Sequence, residues 1–262
     1  MKQTRLLEVA IKAAMKAGTE LQTRYDEQLR TTAKESFRDI YSEADQAAEE
    51  QALAVLQAHD AGITILSEER GYTGAADAED YWVVDALDGT VNYVHHIPFF
   101  SVSVAFISKG KALASAIYAP LVDDIYYASL GNGAFKNQRK LHSSDKHPED
   151  SLFAASFSGK SFEPARRHEE FLAFGEVNDA TRGCLRTGSA ALNLAYLAEG
   201  RFNGCWGKAN KSWDIMAGLL IASEAGAKIL TQPVASDPQR LHYIAAPEAN
   251  FTFLQSRVSR CF

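Results

Sequence analysis

Two carboxylates and a glycine turn close one apolar run of this chain. Trp82-Val83-Val84 ends in Asp85, a second acid follows at Asp88, and Gly89-Thr90 comes next. A buried strand that delivers two acids at its end is suited to hold something cationic. Three further acids stand at the ends of apolar segments: Asp45, Glu68 and Asp214. Burying an unpaired carboxylate costs on the order of several kcal/mol, so a cluster of them needs cations or becomes neutralised. The donors are all oxygen, with no histidine or cysteine close in sequence, which suits a hard cation such as Mg²⁺. Asp85 and Asp88 on a rigid strand end can bridge two ions about 4 Å apart, as two-metal phosphoryl chemistry requires.

A helix starting at Gly89-Thr90 would turn free N–H groups toward an anion, and Gly188-Ser189 offers a second such start. Phosphate clamped between amide donors and metal ions is a coherent reading of both. Asp45 and Asp214, each taken alone, read first as helix caps. His95 and His96 would point about 100° apart on a helix, which makes them poor co-ligands. Ser67 and Ser189 have no histidine base nearby in sequence, so nucleophilic serine chemistry lacks support. Trp82, Trp206 and Trp213 read as core anchors.

The elements that must position these residues follow from periodicity. Leu7, Ala10, Ala14, Ala17 and Leu21 recur at helical spacing within residues 4–25. Residues 29–40 read as a loop or hairpin. Ser42, with Asp45 three residues on, caps a second helix running to about Ala58. Strands are expected at 63–66 and 81–85, separated by a loop over 71–80. A short helix follows Thr90. Residues 99–130 alternate as antiparallel sheet around a Lys109-Gly110-Lys111 turn. Further strands are expected at 134–141, 152–157, 201–206, 228–230 and 242–246. Helices are expected at 168–174, 189–198, 215–225 and from Pro247. These come in blocks, which favours a layered α+β architecture over a Rossmann fold. No nucleotide-binding glycine motif is present.

Bulk properties set the frame. The chain has 262 residues, 46% hydrophobic and 23% charged, enough for a large core. A single domain over residues 1–262 is expected, with an N-terminal α+β lobe over 1–145 and a C-terminal α/β lobe over 146–262. A net charge of −6 argues against direct nucleic-acid binding. The three cysteines show no zinc or disulfide spacing, which points to a reducing, cytoplasmic compartment. Glu8, Lys12 and Lys16 interrupt any leader-like core, and no run is long and apolar enough to span a bilayer.

The stretch Trp82-Val-Val-Asp-Ala-Leu-Asp-Gly-Thr-Val-Asn92 resembles the signature of the inositol monophosphatase family, Mg²⁺-dependent and lithium-sensitive phosphatases. Ser212-Trp213-Asp214-Ile-Met-Ala-Gly218, running on to Glu224-Ala225-Gly226, resembles the family's second signature. Ser67-Glu68-Glu69 and Gly188-Ser189-Ala190-Ala191 match further family segments. Together the matches run in order from Lys34 to Gly226.

The resemblance implies a layered α-β-α-β-α sandwich and a phosphomonoesterase acting on a small phosphorylated polyol. It implies two or three Mg²⁺ ions. Glu68, Asp85 and the Leu87 carbonyl would hold one, and Asp85, Asp88 and Asp214 a second, with Glu68 also reaching a third. Thr90, oriented by Asp45, would position and deprotonate the attacking water. Asp88, Gly89, Thr90, Gly188, Ser189 and Asp214 would line the phosphate and substrate subsite. Lys34 falls where the family carries a lysine on a loop near the metals, expected to act as a lid. A homodimer is implied as well. Bisphosphate nucleotidase, fructose-1,6-bisphosphatase and histidinol-phosphatase relatives share the metal set, and a regulatory binding protein that keeps the fold is a further alternative.

Two positions depart from the pattern. Ala86 replaces the usual signature proline, which removes a constraint on φ. Gly207 stands where many inositol-preferring members carry a glutamate, six residues before the signature tryptophan. Weaker inositol selectivity is expected. The neighbouring Lys208 and Lys211 suggest a preference for substrates with a second anionic group.

Overall fold

The computed structural model describes residues 2–27, 31–33, 40–157 and 164–262. Lys34, the expected lid residue, lies outside them. The chain opens with α1 (Lys2–Arg24). A short antiparallel pair follows, β1 (Thr31–Ala33) and β2 (Ile40–Ser42), and then α2 (Glu43–His59). The next block holds β3 (Thr64–Ser67), β4 (Gly71–Thr73), β5 (Asp80–Asp88) and α3 (Thr90–Val94). It continues as β6 (Ser101–Ser108), β7 (Lys111–Ala119), β8 (Asp124–Ser129), β9 (Ala134–Lys136) and β10 (Arg139–Lys140). Strands β3 to β10 form one sheet in the order β10-β9-β8-β7-β6-β5-β3-β4.

The second block begins with β11 (Leu152–Phe157), α4 (Pro164–Asp179), β12 (Gly183–Leu185) and α5 (Ala190–Ala198). It ends with β13 (Gly204–Lys211), α6 (Ser212–Glu224), β14 (Lys228–Val234), β15 (Asp237–Ala246) and α7 (Glu248–Val258). Its sheet has the order β12-β11-β13-β15-β14.

Packing explains the layering. Trp82 and Val84 of β5 join α1 and α2 residues such as Ala14, Leu21, Ala48 and Leu56 in one core. Val83, on the opposite face of the same strand, packs with Leu192 and Ala195 of α5 and Trp213 and Leu220 of α6. A strand buried on both faces reads as a continuous apolar run, which is why Trp82-Val83-Val84 does not alternate. The far sides of α5 and α6, through Leu194, Leu197 and Ile215, meet Ala154, Cys205 and Tyr243 of the second sheet. That sheet's other face, with Phe153, Trp206 and Ile244, is covered by α4 and α7. The order is helix, sheet, helix, sheet, helix, the expected five layers.

Sequence spacing erred at several points. The 71–80 loop begins with the edge strand β4, which pairs with β3. The strand expected at 201–206 runs Gly204–Lys211, and β12 is too short and mixed to leave a periodic signal. The last two strands are longer than expected because they form a hairpin whose partner is supplied by the chain itself.

Candidate metal and phosphate site

Strand geometry brings the acids together. β3 and β5 run parallel, and their pairing stops with Ser67 opposite Val84, while β5 runs on to Asp88. Glu68 donates its backbone N–H to the Val84 carbonyl at 3.2 Å, which sets it next to Asp85. Residues three apart on a regular strand face opposite ways. Here the ladder slips between Asp85 and Asp88: Asp85 pairs with Ser103 but Asp88 with Ser101. Three steps on β5 match two on β6, and this one-residue bulge re-aims Asp88. Ala86, the departure from the signature, is buried within the bulge.

Asp214 arrives from the other block. The Ser103 hydroxyl of β6 donates to the Trp213 carbonyl at 2.9 Å and anchors the start of α6 against the first sheet. One Asp214 oxygen, Oδ2, accepts the Lys211 N–H at 3.2 Å as a cap. Ligand atoms of Glu68, Asp85 and Asp214 all lie within 4.8 Å of one another. Burial raises the Asp85 and Asp214 carboxyls well above the ordinary range, reinforced by Glu68 and by each other's neighbourhood of acids. Carboxylates crowded in this way repel unless a cation sits among them, and an all-oxygen set fits a hard divalent ion.

Asp45 both caps α2 and accepts a hydrogen bond from Thr90. Its Oδ2 accepts the Ser42 N–H at 2.9 Å and the Ser42 hydroxyl, closing a capping box on α2. Its Oδ1 accepts the Thr90 hydroxyl at 3.1 Å, and the same hydroxyl lies 3.2 Å from the Leu87 carbonyl. Burial pushes Asp45 up to about 6 against the pull of the Ser42 hydrogen bonds. Gly89 occupies φ +104, and a Cβ there would lie 3.1 Å from both the Phe100 Cβ and the Phe99 carbonyl, so only glycine makes this turn. It precedes α3 without any side-chain cap on the helix start.

Asp88 stands apart from the three-acid group. Its Oδ2 accepts the Ser189 hydroxyl at 2.5 Å and the Ala191 N–H at 2.7 Å, and its Oδ1 the Ala190 N–H at 3.3 Å. Burial raises its carboxyl to about 6, opposed first by Ser189 and then by the two amides. The expectation that Gly188-Ser189 aims open amides at a phosphate is therefore corrected. The first amides of α5 are taken by Asp88, and the Ser189 hydroxyl also accepts the Leu192 N–H at 3.2 Å. An acid at a helix start is the favourable partner for those donors.

Two residues that spacing did not single out hold the site. Asn92 donates from Nδ2 to the Phe99 carbonyl at 2.7 Å and to the Thr187 carbonyl at 2.8 Å, and fills the space beside Gly188. Glu49 contacts the turn that carries Glu68. Near Gly207 a second correction applies. The amines that suggested a second anion site are already paired: Lys208 lies 3.0 Å from Glu170 and Lys211 3.1 Å from Asp237. A buried amine requires such a counter-charge. A Cβ on Gly207 would fall 2.2 Å from Asn210 Oδ1 and from the Tyr243 ring, so Asn210 and Tyr243 fill the volume a larger residue would take.

Comparisons with known proteins identify the family and the fold. The profile of the inositol monophosphatase family matches residues 2–256. An inositol-1-monophosphatase of Mesorhizobium japonicum is 38% identical over 229 residues, covering 86% of this chain and 85% of its own. A Nus factor SuhB of Pasteurella multocida is 36% identical, covering 86% and 84%. The crystal structure of the extragenic suppressor protein suhB from Bartonella henselae superposes with a TM-score of 0.88 at 33% identity, over 98% of this chain and 99% of that one.

Proposed function

The chain belongs to the inositol monophosphatase family and is a phosphoric monoester hydrolase, and from that premise we propose that it cleaves small phosphorylated polyols with Mg²⁺ at Glu68, Asp85 and Asp214. The observation that carries this reading is the convergence of those three acids within 4.8 Å, beside a threonine hydroxyl already paired to a buried acid. Two ions, with Asp88 and the Leu87 carbonyl completing their shells and Glu68 reaching a third, is the fuller form of the same proposal. Bound Mg²⁺ supplies charge that activates water and offsets charge on the phosphoryl oxygens and leaving alkoxide.

The protein's own groups do the rest. The Thr90 hydroxyl donates to Asp45, so its lone pair is left to accept a proton from the attacking water while its own proton passes to Asp45. The water oxygen bonds to phosphorus, the bond to the alkoxide breaks, the alkoxide takes a proton from solvent water, and Asp45 returns its proton to solvent. Gly89 and Thr90 orient the phosphoryl group at the α3 start. Ser189 acts by holding Asp88, and Gly188 leaves the room that Asn92 fills.

Gly207 supports relaxed selectivity, because the wall at this point is built by Asn210 and Tyr243 with no charged side chain from position 207. With Lys208 and Lys211 both paired, neutral polyol phosphates fit better than bisphosphates. Measured kcat/KM over inositol, sugar, glycerol and nucleotide phosphates tests this. Activity spread across several neutral polyol phosphates is expected, and an exclusive preference for inositol 1-phosphate would sink it. Relatives bearing the name Nus factor motivate a second reading, a binding role in transcription. No phosphate release from any substrate would favour that alternative.

A further inference from the structure

Helix α2 carries two buried acids one turn apart, Asp45 and Glu49, in a stripe otherwise made of Ala44, Ala48, Ala52, Leu53 and Leu56. Asp45 serves Thr90. Glu49 is 1% exposed, and an apolar residue would fill its place without a desolvation cost. What the carboxylate provides is a bracket around Glu68. Its Oε1 accepts the Ser67 hydroxyl at 3.1 Å, and its Oε2 accepts the Glu69 N–H at 3.1 Å. Arg70 Nε lies 3.3 Å from Oε1 and supplies counter-charge from the exposed side. Glu49 thus grips the residues immediately before and after Glu68, at the turn between β3 and β4. The Glu68 N–H to Val84 bond fixes the third side.

Two hydrogen bonds from one rigid helix to both flanks of a turn residue restrict its backbone, and with it the direction of its side chain. Glu68 lies close enough for its charge to act on both Asp45 and Glu49. We propose that Glu49 is a positioning residue that sets the Glu68 carboxylate against Asp85 and Asp214, so that metal affinity depends on a group that never touches the metal. This rests on the reading of Glu68 as a metal ligand. Groups that orient a ligand in this way change affinity by about 10–100-fold when lost.

The test is metal binding by the intact protein, read by Mn²⁺ electron paramagnetic resonance, alongside the Mg²⁺ dependence of phosphate release. Glu49→Gln keeps one acceptor but sets an amide against the turn. It is expected to weaken Mn²⁺ about 10-fold and to shift the Mg²⁺ activation midpoint by a similar factor, with kcat at saturating Mg²⁺ nearly unchanged. Glu50→Gln, which touches Arg70 from the exposed side, is expected to bind as wild type does. Ser67→Ala removes half the bracket without disturbing α2, keeps the question answerable if Glu49→Gln misfolds, and should weaken binding about 3-fold. Wild-type Mn²⁺ affinity in folded Glu49→Gln, or in Ser67→Ala should that variant be the one that folds, overturns the positioning role alone. A wild-type protein that binds no Mn²⁺ overturns the metal reading itself.

Discussion

Asp88 accepts the Ser189 hydroxyl at 2.5 Å across 101 residues of sequence. This bond ties the end of β5, in the first sheet, to the start of α5, in the helical layer between the sheets. It also fixes Asp88, the acid of β5 that lies outside the group formed by Glu68, Asp85 and Asp214. Asp88→Asn would turn an amide against the Ala190 and Ala191 N–H donors. A loss of Mg²⁺-dependent phosphate release of about 100-fold or more is expected, with an unchanged circular dichroism spectrum. Wild-type turnover in this variant would remove Asp88 from the mechanism.

Thr90 and Asp45 make a sharper pair of variants. Thr90→Ala deletes the hydroxyl that donates to Asp45, and on the proposed proton path a fall in kcat of about 10²–10⁴ is expected, as for loss of a general base. Thr90→Ser keeps the hydroxyl and should stay within about 10-fold of wild type, on the same scale. Steady-state kinetics decides, and equal losses in both would mean that the methyl group, not the proton path, matters.

Gly207 is packed, not vacant. Gly207→Ala places a Cβ against Asn210 and the fully buried Tyr243. Overpacking of this kind costs about 1–3 kcal/mol. Urea unfolding should show that loss, and a smaller one when Asn210→Gly is made in the same chain. No change in stability would mean the volume beside Gly207 is open.

The acid cluster gives metal-free protein a pH dependence of definite sign. Burial, reinforced by neighbouring acids, raises Asp45 and Asp88 to about 6 and Asp85 and Asp214 well above the ordinary value. In the unfolded chain such acids ionise near pH 4, at about 3.9. From there up through the folded values the native state holds more protons, so stability falls as pH rises. In EDTA the protein should melt higher at pH 5 than at pH 8. Added Mg²⁺ should raise Tm more at pH 8, because ligand carboxylates must first lose their protons. Equal Mg²⁺ shifts at the two pH values would count against the cluster as the binding site.

Much of this was visible in the sequence, and the exceptions have physical causes. The strand that carries Asp85, the capped helix at Ser42 and the turn at Gly89 each follow from local chemistry, although the strand runs past the expected end at Asp85 to Asp88. The bulge that re-aims Asp88 does not, because it exists only in the register between β5 and β6. The α5 start shows the same limit: Gly188-Ser189 marks a helix N-terminus, but which anion fills it depends on a residue 101 positions away. Lys208 and Lys211 looked free because their partners, Glu170 and Asp237, come from distant segments. Glu49 did leave a signal, a second acid one turn after Asp45 on the apolar stripe of α2.

The most direct measurement is phosphate release from a polyol phosphate as Mg²⁺ is titrated, for wild type and Asp214→Asn. A saturable rise with Mg²⁺, abolished by EDTA and reduced by about 100-fold or more in the variant, is the predicted result. Release that persists in EDTA, or that survives in Asp214→Asn, would contradict a hydrolase built on Glu68, Asp85 and Asp214.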